Sequence, residues 1–214
     1  MKTKIIFLFA LMALFLSANA QSVSYDSAMI KSIRKIHNPE NADKLIDLAG
    51  RFERIAQAKP AEWLPLYYSA YCYIFQAFAE KDGKQIDLNV DKAQVHIEKA
   101  MAMAPTESEL LVLQAMAYQA RIGVNPMMRG MKYSGMAADA LDMAEKLNAS
   151  NPRIYFIRGQ SAFNTPKMFG GGKDAAKPHF VKAASLFEKE NMENPLAVHW
   201  GLEANEQMLM ACEQ

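Results

Sequence analysis

Methionine is the residue type whose clustering points most directly to chemistry in this 214-residue chain. Of its 15 methionines, four lie in one short segment: Met127, Met128, Met131 and Met136. Thioethers are soft ligands that suit Cu(I) in an exported protein, and clustered methionines also form adaptable apolar surfaces. Because no histidine or cysteine interleaves the cluster, copper binding is disfavoured, and the pattern favours hydrophobic filling beneath a long loop.

A second segment carries a glycine run and a lysine directly after Met168 and Phe169: Gly170, Gly171, Gly172 and Lys173. Successive backbone N–H groups before a helix can hold a carboxylate or a sulfate, and Lys173 would add charge. A nucleotide-binding P-loop needs Ser or Thr after the lysine and a strand before the loop, whereas Asp174 follows here. The structural alternative is that the glycines let a helix starting near Asp174 pack tightly.

The two segments, residues 123–136 and 164–173, share one order of residue types. Each runs from proline through methionine to glycine and a basic residue, which predicts two copies of one structural solution laid side by side. The candidate ligand-binding or partner-binding residues in them are Met127, Met128, Arg129, Met131, Met168, Phe169 and Lys173.

Residues typical of catalysis or of metal binding form no pattern. The histidines are scattered without metal-ligand spacing, at His37, His96, His179 and His199. Serine and cysteine occur without the elbow motif of a nucleophile, and acidic residues lie among lysines as on solvated helix faces. We therefore expect a protein that is not an enzyme and that holds no metal or cofactor.

Residues 1–20 have the pattern of a secretory signal peptide, because Lys2 and Lys4 precede an apolar run that ends in Ala18-Asn19-Ala20. Residues 21–214 contain no run of about 18 apolar residues, so no integral membrane segment is expected after cleavage. No linker divides these residues. The sequence therefore predicts one soluble exported domain, periplasmic or secreted.

The charge of residues 21–214 is nearly balanced, at 22 basic against 23 acidic residues once the two signal-peptide lysines are removed. Such a balance gives no electrostatic footprint for nucleic acid or for an anionic membrane. Cys72 and Cys212 are expected to lie too far apart for a disulfide, so we expect Cys72 to be a small apolar core residue.

Four prolines close similar stretches of the chain, at positions 60, 105, 152 and 195, which are 45, 47 and 43 residues apart. Counting back from them, apolar residues recur four positions apart, as on one face of a helix. Counting forward, Leu111, Ala115 and Tyr118 repeat the offsets of Leu66, Ala70 and Tyr73. Self-similarity at this period predicts stacked helical hairpins.

On these residues the chain resembles the tetratricopeptide repeat family. Ala93, Ile97, Ala100 and Pro105 keep the spacing of the second helix, and Leu111, Ala115 and Tyr118 keep that of the first. The resemblance covers residues 41–212 and implies an all-α, TPR-like helical-hairpin solenoid with a right-handed superhelix. Helix formers and turn residues place about nine helices, near residues 26–36, 41–58, 62–80, 89–103, 106–121, 135–148, 153–163, 175–190 and 196–211.

Units of 43 to 47 residues exceed the roughly 34 of a tetratricopeptide repeat. The offsets place the excess as loops between the first and second helix of each unit, along one edge, where insertions often bind ligands. The resemblance implies a peptide or protein partner on the concave face or these loops, with Tyr67, Tyr71 and Arg121 as candidate groove residues. The rival hypothesis is a carrier of a small apolar or anionic ligand in envelope transport, with the methionine-rich segments as its mouth.

Overall fold

The computed structural model describes residues 25–36 and 44–213. Within these ranges the chain forms nine α-helices and no strand, so the predicted all-α class is confirmed. The helices are α1 (residues 25–36), α2 (Leu45–Ala58), α3 (Leu64–Ala79), α4 (Gly83–Met103), α5 (Ser108–Ile122), α6 (Pro126–Leu147), α7 (Pro152–Asn164), α8 (Lys173–Phe187) and α9 (Leu202–Glu213). A short 3-10 turn, Lys167–Phe169, precedes α8. The predicted signal peptide, residues 1–20, and His37 lie outside the described residues.

Neighbouring helices pack as hairpins: α3 with α4, α5 with α6, and α7 with α8, while α2 lies against α3 and α9 against α8. Helices α3, α5 and α7 lie side by side and run in the same direction. Near the carboxyl ends of α5 and α7, Gln119 Nε2 donates to Ser161 Oγ at 2.6 Å. Near their amino ends, Asn151 Nδ2 donates to Ser108 Oγ at 3.0 Å. We call the surface formed by α3, α5 and α7 the central face.

Small residues stand where helices approach each other closely. Ala93, Ala140 and Ala183, which each stand twelve positions before one of the four repeat prolines, are all buried. At Gly159 on α7, an added Cβ would come within 2.5 Å of the Phe180 ring on α8, so only glycine allows this approach. Cys72 is completely buried, as expected, and both it and Cys212 are free thiols.

Two helices begin earlier than the repeat pattern predicts. Helix α4 begins at Gly83 rather than near residue 89, and α6 begins at Pro126 rather than near residue 135. Residues 126–135, predicted to be a loop, are therefore the first turns of α6. The cap explains this, because the Asn125 side chain accepts from the Met128 backbone N–H at 3.1 Å and proline is favourable at the first helical position.

Helix α9 begins later than predicted, at Leu202 instead of near residue 196. Helix α8 ends at Phe187, and the segment between them, residues 188–201, is irregular. Within the described ranges, no helix is both long enough and apolar enough to cross a membrane.

Candidate functional site

Apolar side chains project from one edge of the molecule, where α5 turns into α6 and α7 turns into α8. Met127, Met131 and Met128 are 99%, 94% and 82% exposed, and Met168 and Phe169 are 83% and 71% exposed. We call these five residues the methionine edge. Because large apolar side chains that cluster in water usually mark a binding surface, this edge is a candidate ligand site.

Ion pairs fix the first turns of α6, which carry Met127, Met128 and Met131; we call this group of two arginines and two aspartates the clamp. Arg129, between two of the exposed methionines, turns inward and donates to both oxygens of Asp87 on α4 at 2.7 and 2.9 Å. Arg121 on α5 donates to Asp87 at 2.8 Å and to Asp91 at 2.5 Å. Their hydrogen bonds, that of Arg129 first, lower the pKa of Asp87. Arg121 and Arg129, predicted as ligand contacts, thus tie three helices together and act as positioning residues.

Lysines flank the methionine edge. Lys132 follows Met131 on α6, Lys167 precedes Met168, and Lys173 begins α8, and all three are exposed. None of them forms an ion pair with another described residue. Apolar side chains bordered by cationic groups suit a ligand that is apolar with carboxylates at its rim.

The glycine loop has a structural role. Each N–H of Gly170, Gly171 and Gly172 donates to a carbonyl of the preceding turns, at 2.8 to 3.3 Å. Gly170 and Gly172 have φ angles of 82° and 103°, which residues other than glycine rarely adopt. The three amides are therefore not free to cradle an anion, and the Lys173 side chain is the charged group of the predicted anion loop that is exposed.

Tyr67 and Tyr71, predicted as groove residues, lie on the central face but are only 0% and 5% exposed. Trp200 covers them: its Nε1–H donates to Tyr67 Oη at 2.7 Å, and its ring lies 5.5 Å from that of Tyr71. Neither tyrosine can meet a partner while Trp200 is in place.

An acidic cleft of about 470 Å³ opens at the amino ends of α3 and α5. Its lining includes the rings of Tyr25 and Trp63 and the carboxylates of Glu62, Glu107 and Glu109. Burial and the charge of Glu62 raise the pKa of Tyr25 to about 12. None of the described residues that line the cleft is basic, so the charges of Glu62 and Glu107 oppose an anionic ligand there.

A buried ionic network behind the cleft was not predicted. Arg153, 1% exposed, donates through both terminal nitrogens to Glu190 at 2.6 and 2.7 Å and lies 3.5 Å from Glu109. Burial raises the pKa of Glu109 to about 7, although Arg153 acts against this shift. One sequence feature could have indicated this network: Glu190 is an acidic residue at a position where tetratricopeptide repeats have a small one.

Two of the described histidines make local contacts: His96 Nε2 lies 3.1 Å from Glu53 and His199 Nε2 lies 2.8 Å from the Asn194 carbonyl. Among the described residues, no group of three or more His, Cys, Asp or Glu side chains is arranged to hold a metal ion.

No protein-family model matches the sequence, and a comparison with curated proteins finds no match either. Among solved structures, the HusA haemophore from Porphyromonas gingivalis is similar to this chain, with a TM-score of 0.80 and 34% sequence identity. The similarity covers 88% of this chain and 92% of that one.

Proposed function

Because the chain belongs to the family of the HusA haemophore, we propose that it is an exported carrier that binds haem on the methionine edge. Haem is a flat apolar macrocycle with two carboxylates at its rim. The observation that carries the proposal is the set of five exposed apolar side chains bordered by Lys132, Lys167 and Lys173. Haem is the cargo here and has no catalytic role, and we propose that the chain is not an enzyme.

The two halves of the methionine edge belong to neighbouring hairpins. Met127 and Met131 lie on the α5–α6 hairpin, and Met168 and Phe169 on the α7–α8 connection. Helix α7 packs against both α5 and α6, and packed helices lie ~8–10 Å apart, so the two hairpins are neighbours; the proposal is that one flat ligand bridges their ends. The thioethers also offer iron-ligand atoms, but flexible methionines contribute mainly apolar contact area in this arrangement.

The acidic cleft fits haem less well, because the carboxylates of Glu62 and Glu107 would repel those of haem. The other function expected from the sequence, binding of a peptide or protein partner, stays a prediction. Export, to the periplasm or to the medium, is part of this proposal and is supported by the signal-peptide pattern of residues 1–20.

The test compares two triple variants of the mature chain, in which Met127, Met131 and Met168 become either glutamine or leucine. Glutamine keeps the length of methionine but is polar, and we expect it to weaken haem binding by about 100-fold, at about 1 kcal/mol per side chain. Leucine keeps the apolar area, so its affinity should stay within about threefold of wild type. Haem titrations followed by absorbance give the dissociation constants.

Met143→Gln is the matched control, since Met143 is also exposed on α6 but lies away from the edge. It should bind haem like wild type. Failure of the wild-type chain to bind haem would refute the proposed function. Wild-type affinity in the glutamine triple would refute the site instead and redirect attention to the acidic cleft.

A further inference from the structure

The irregular segment between α8 and α9, residues 188–201, crosses the central face, and we call it the strap. Its last large side chain, Trp200, is 5% exposed and occupies a slot between α3 and α7. Besides its hydrogen bond to Tyr67, the Trp200 ring lies 5.5 Å from Tyr71 and 6.3 Å from Phe156. The end of the strap therefore covers Tyr67 and Tyr71 of α3 and lies against Phe156 of α7.

Arg153 is the second anchor of the strap. Its terminal nitrogens donate to Glu190 near the start of the strap and to the Val198 carbonyl near its end. The guanidinium lies 5.6 Å from the rings of both Phe187 and Trp200. Because Arg153 is buried and most of its hydrogen bonds go to the strap, its positive charge depends on the strap for a partner.

Beyond Trp200 and Arg153, the strap is held by the half-buried side chains of Leu196 and Val198, which pack against the core. Its backbone hydrogen bonds among the described residues are local, such as Ala197 N–H to the Asn194 carbonyl at 3.0 Å. No backbone-to-backbone hydrogen bond in the described chain joins it to α3, α5 or α7. Residues 191–195 in its middle are all exposed. Segments with few buried contacts open at lower free energy than the helices they cover.

We propose that the strap is an intramolecular ligand of the central face, which opens without unfolding the helices, and that the face so uncovered binds an extended peptide segment. The partner segment would present a carboxylate to Arg153 and an aromatic side chain to the slot of Trp200. A peptide is the occupant that fits, because the present occupant is a peptide and uses these two groups as its anchors. This site lies apart from the methionine edge and does not depend on haem binding.

The first experiment asks whether the strap opens by itself. In a Trp63→Phe background Trp200 is the sole tryptophan, so its fluorescence reports the strap while far-UV circular dichroism reports the helices. In a urea titration the Trp200 transition should come first. Glu190→Gln should move it to lower urea still and leave the helix transition in place. Glu193→Gln, an exposed acid of the same strap, is the control and should change neither. Coincident transitions in both the background and Glu190→Gln would overturn the proposal.

The second experiment supplies the strap in trans. A fluorescent peptide of residues 188–201 is titrated against the full chain carrying Glu190→Gln and Trp200→Ala, whose folding is verified by circular dichroism. The weakened strap should yield to the peptide, giving saturable anisotropy at least tenfold tighter than with wild type, whose own strap competes at high effective concentration. A peptide carrying the same two substitutions should not bind. A folded variant that ignores the intact peptide would overturn the proposal, and if the variant does not fold, the urea transitions decide.

Discussion

The carboxyl group of Glu109 is buried in an environment that disfavours its ionised form. Burial raises its pKa to about 7 in the folded chain, against 4.5 for an ordinary glutamate. Its neighbours include Arg153 at 3.5 Å, Asn151, whose Nδ2 donates at 2.8 Å, and Tyr67, whose hydroxyl lies 3.4 Å away. These groups join α3, α5 and α7, so the protonation state of one side chain is coupled to the packing of three helices.

We expect Glu109→Gln to remove a pH dependence of stability. A raised folded pKa means that the contribution of Glu109 to stability is fully present below pH 4.5 and is lost as the pH rises through about 7. Relative to wild type, the variant should gain stability across this window by up to about 3 kcal/mol. Urea midpoints of both proteins between pH 4.5 and 7.5 measure the difference. A constant difference across the window would show that Glu109 does not titrate there.

At the scale of helices, the proline-anchored pattern predicted the number and order of elements because its period follows from packing positions such as Ala93 and Ala140. It failed at the starts of α4 and α6. The Gly130 and Gly135 positions resemble loop residues, but the Asn125 cap and the clamp between Arg129 and Asp87 hold this stretch as helix. The low helix propensity of the two glycines is outweighed by tertiary contacts, and the spacing of residues in the sequence does not reveal those contacts.

Gly159 provides a test of close packing between α7 and α8. Gly159→Ala should destabilise the chain by about 1–3 kcal/mol, because the new Cβ would meet the Phe180 ring. Gly135→Ala is the matched control, since nothing lies within 4 Å of a Cβ there and alanine favours a helix over glycine by about 1 kcal/mol. The two variants should therefore shift the thermal midpoint in opposite directions. Equal shifts would contradict this account of the α7–α8 interface.

The clamp on α6 makes a second prediction at this scale. Asp87→Asn should loosen the first turns of α6, because both arginines lose a charged partner. Amide hydrogen exchange in residues 126–133 should accelerate by about tenfold, while residues 137–147 change little. Haem affinity should fall by a few-fold, since the methionines lose their fixed platform. Asp139→Asn, an exposed acid on α6, serves as the control and should leave exchange unchanged.

At the scale of the whole molecule, the contact between the strap and the central face is the one that the sequence predicts least well. Trp200 and Tyr67 are 133 residues apart and meet across the central face. The resemblance to tetratricopeptide repeats predicted Tyr67 and Tyr71 as groove residues, but it carries no information about an irregular segment that returns to cover them. The methionine cluster was identifiable in the sequence because such clustering is unusual, but the favoured interpretation, filling beneath a long loop, is wrong, since Met127 and Met131 are almost fully exposed.

The molecule places opposite charges at opposite ends of its helices, and this arrangement predicts how salt affects haem binding. The 15 residues of α5 span ~22 Å from its amino end at the acidic cleft to its turn into α6 at the methionine edge, beyond the screening length of ~10 Å at 0.1 M salt. Raising NaCl from 50 to 500 mM should therefore weaken haem binding by about 3–10-fold, because only the lysines act on the haem carboxylates. Lys132→Gln with Lys173→Gln should weaken binding at low salt and remove most of this dependence. Glu62→Gln with Glu107→Gln, at the far end, should change neither quantity; if these two substitutions tighten binding instead, haem sits in the acidic cleft.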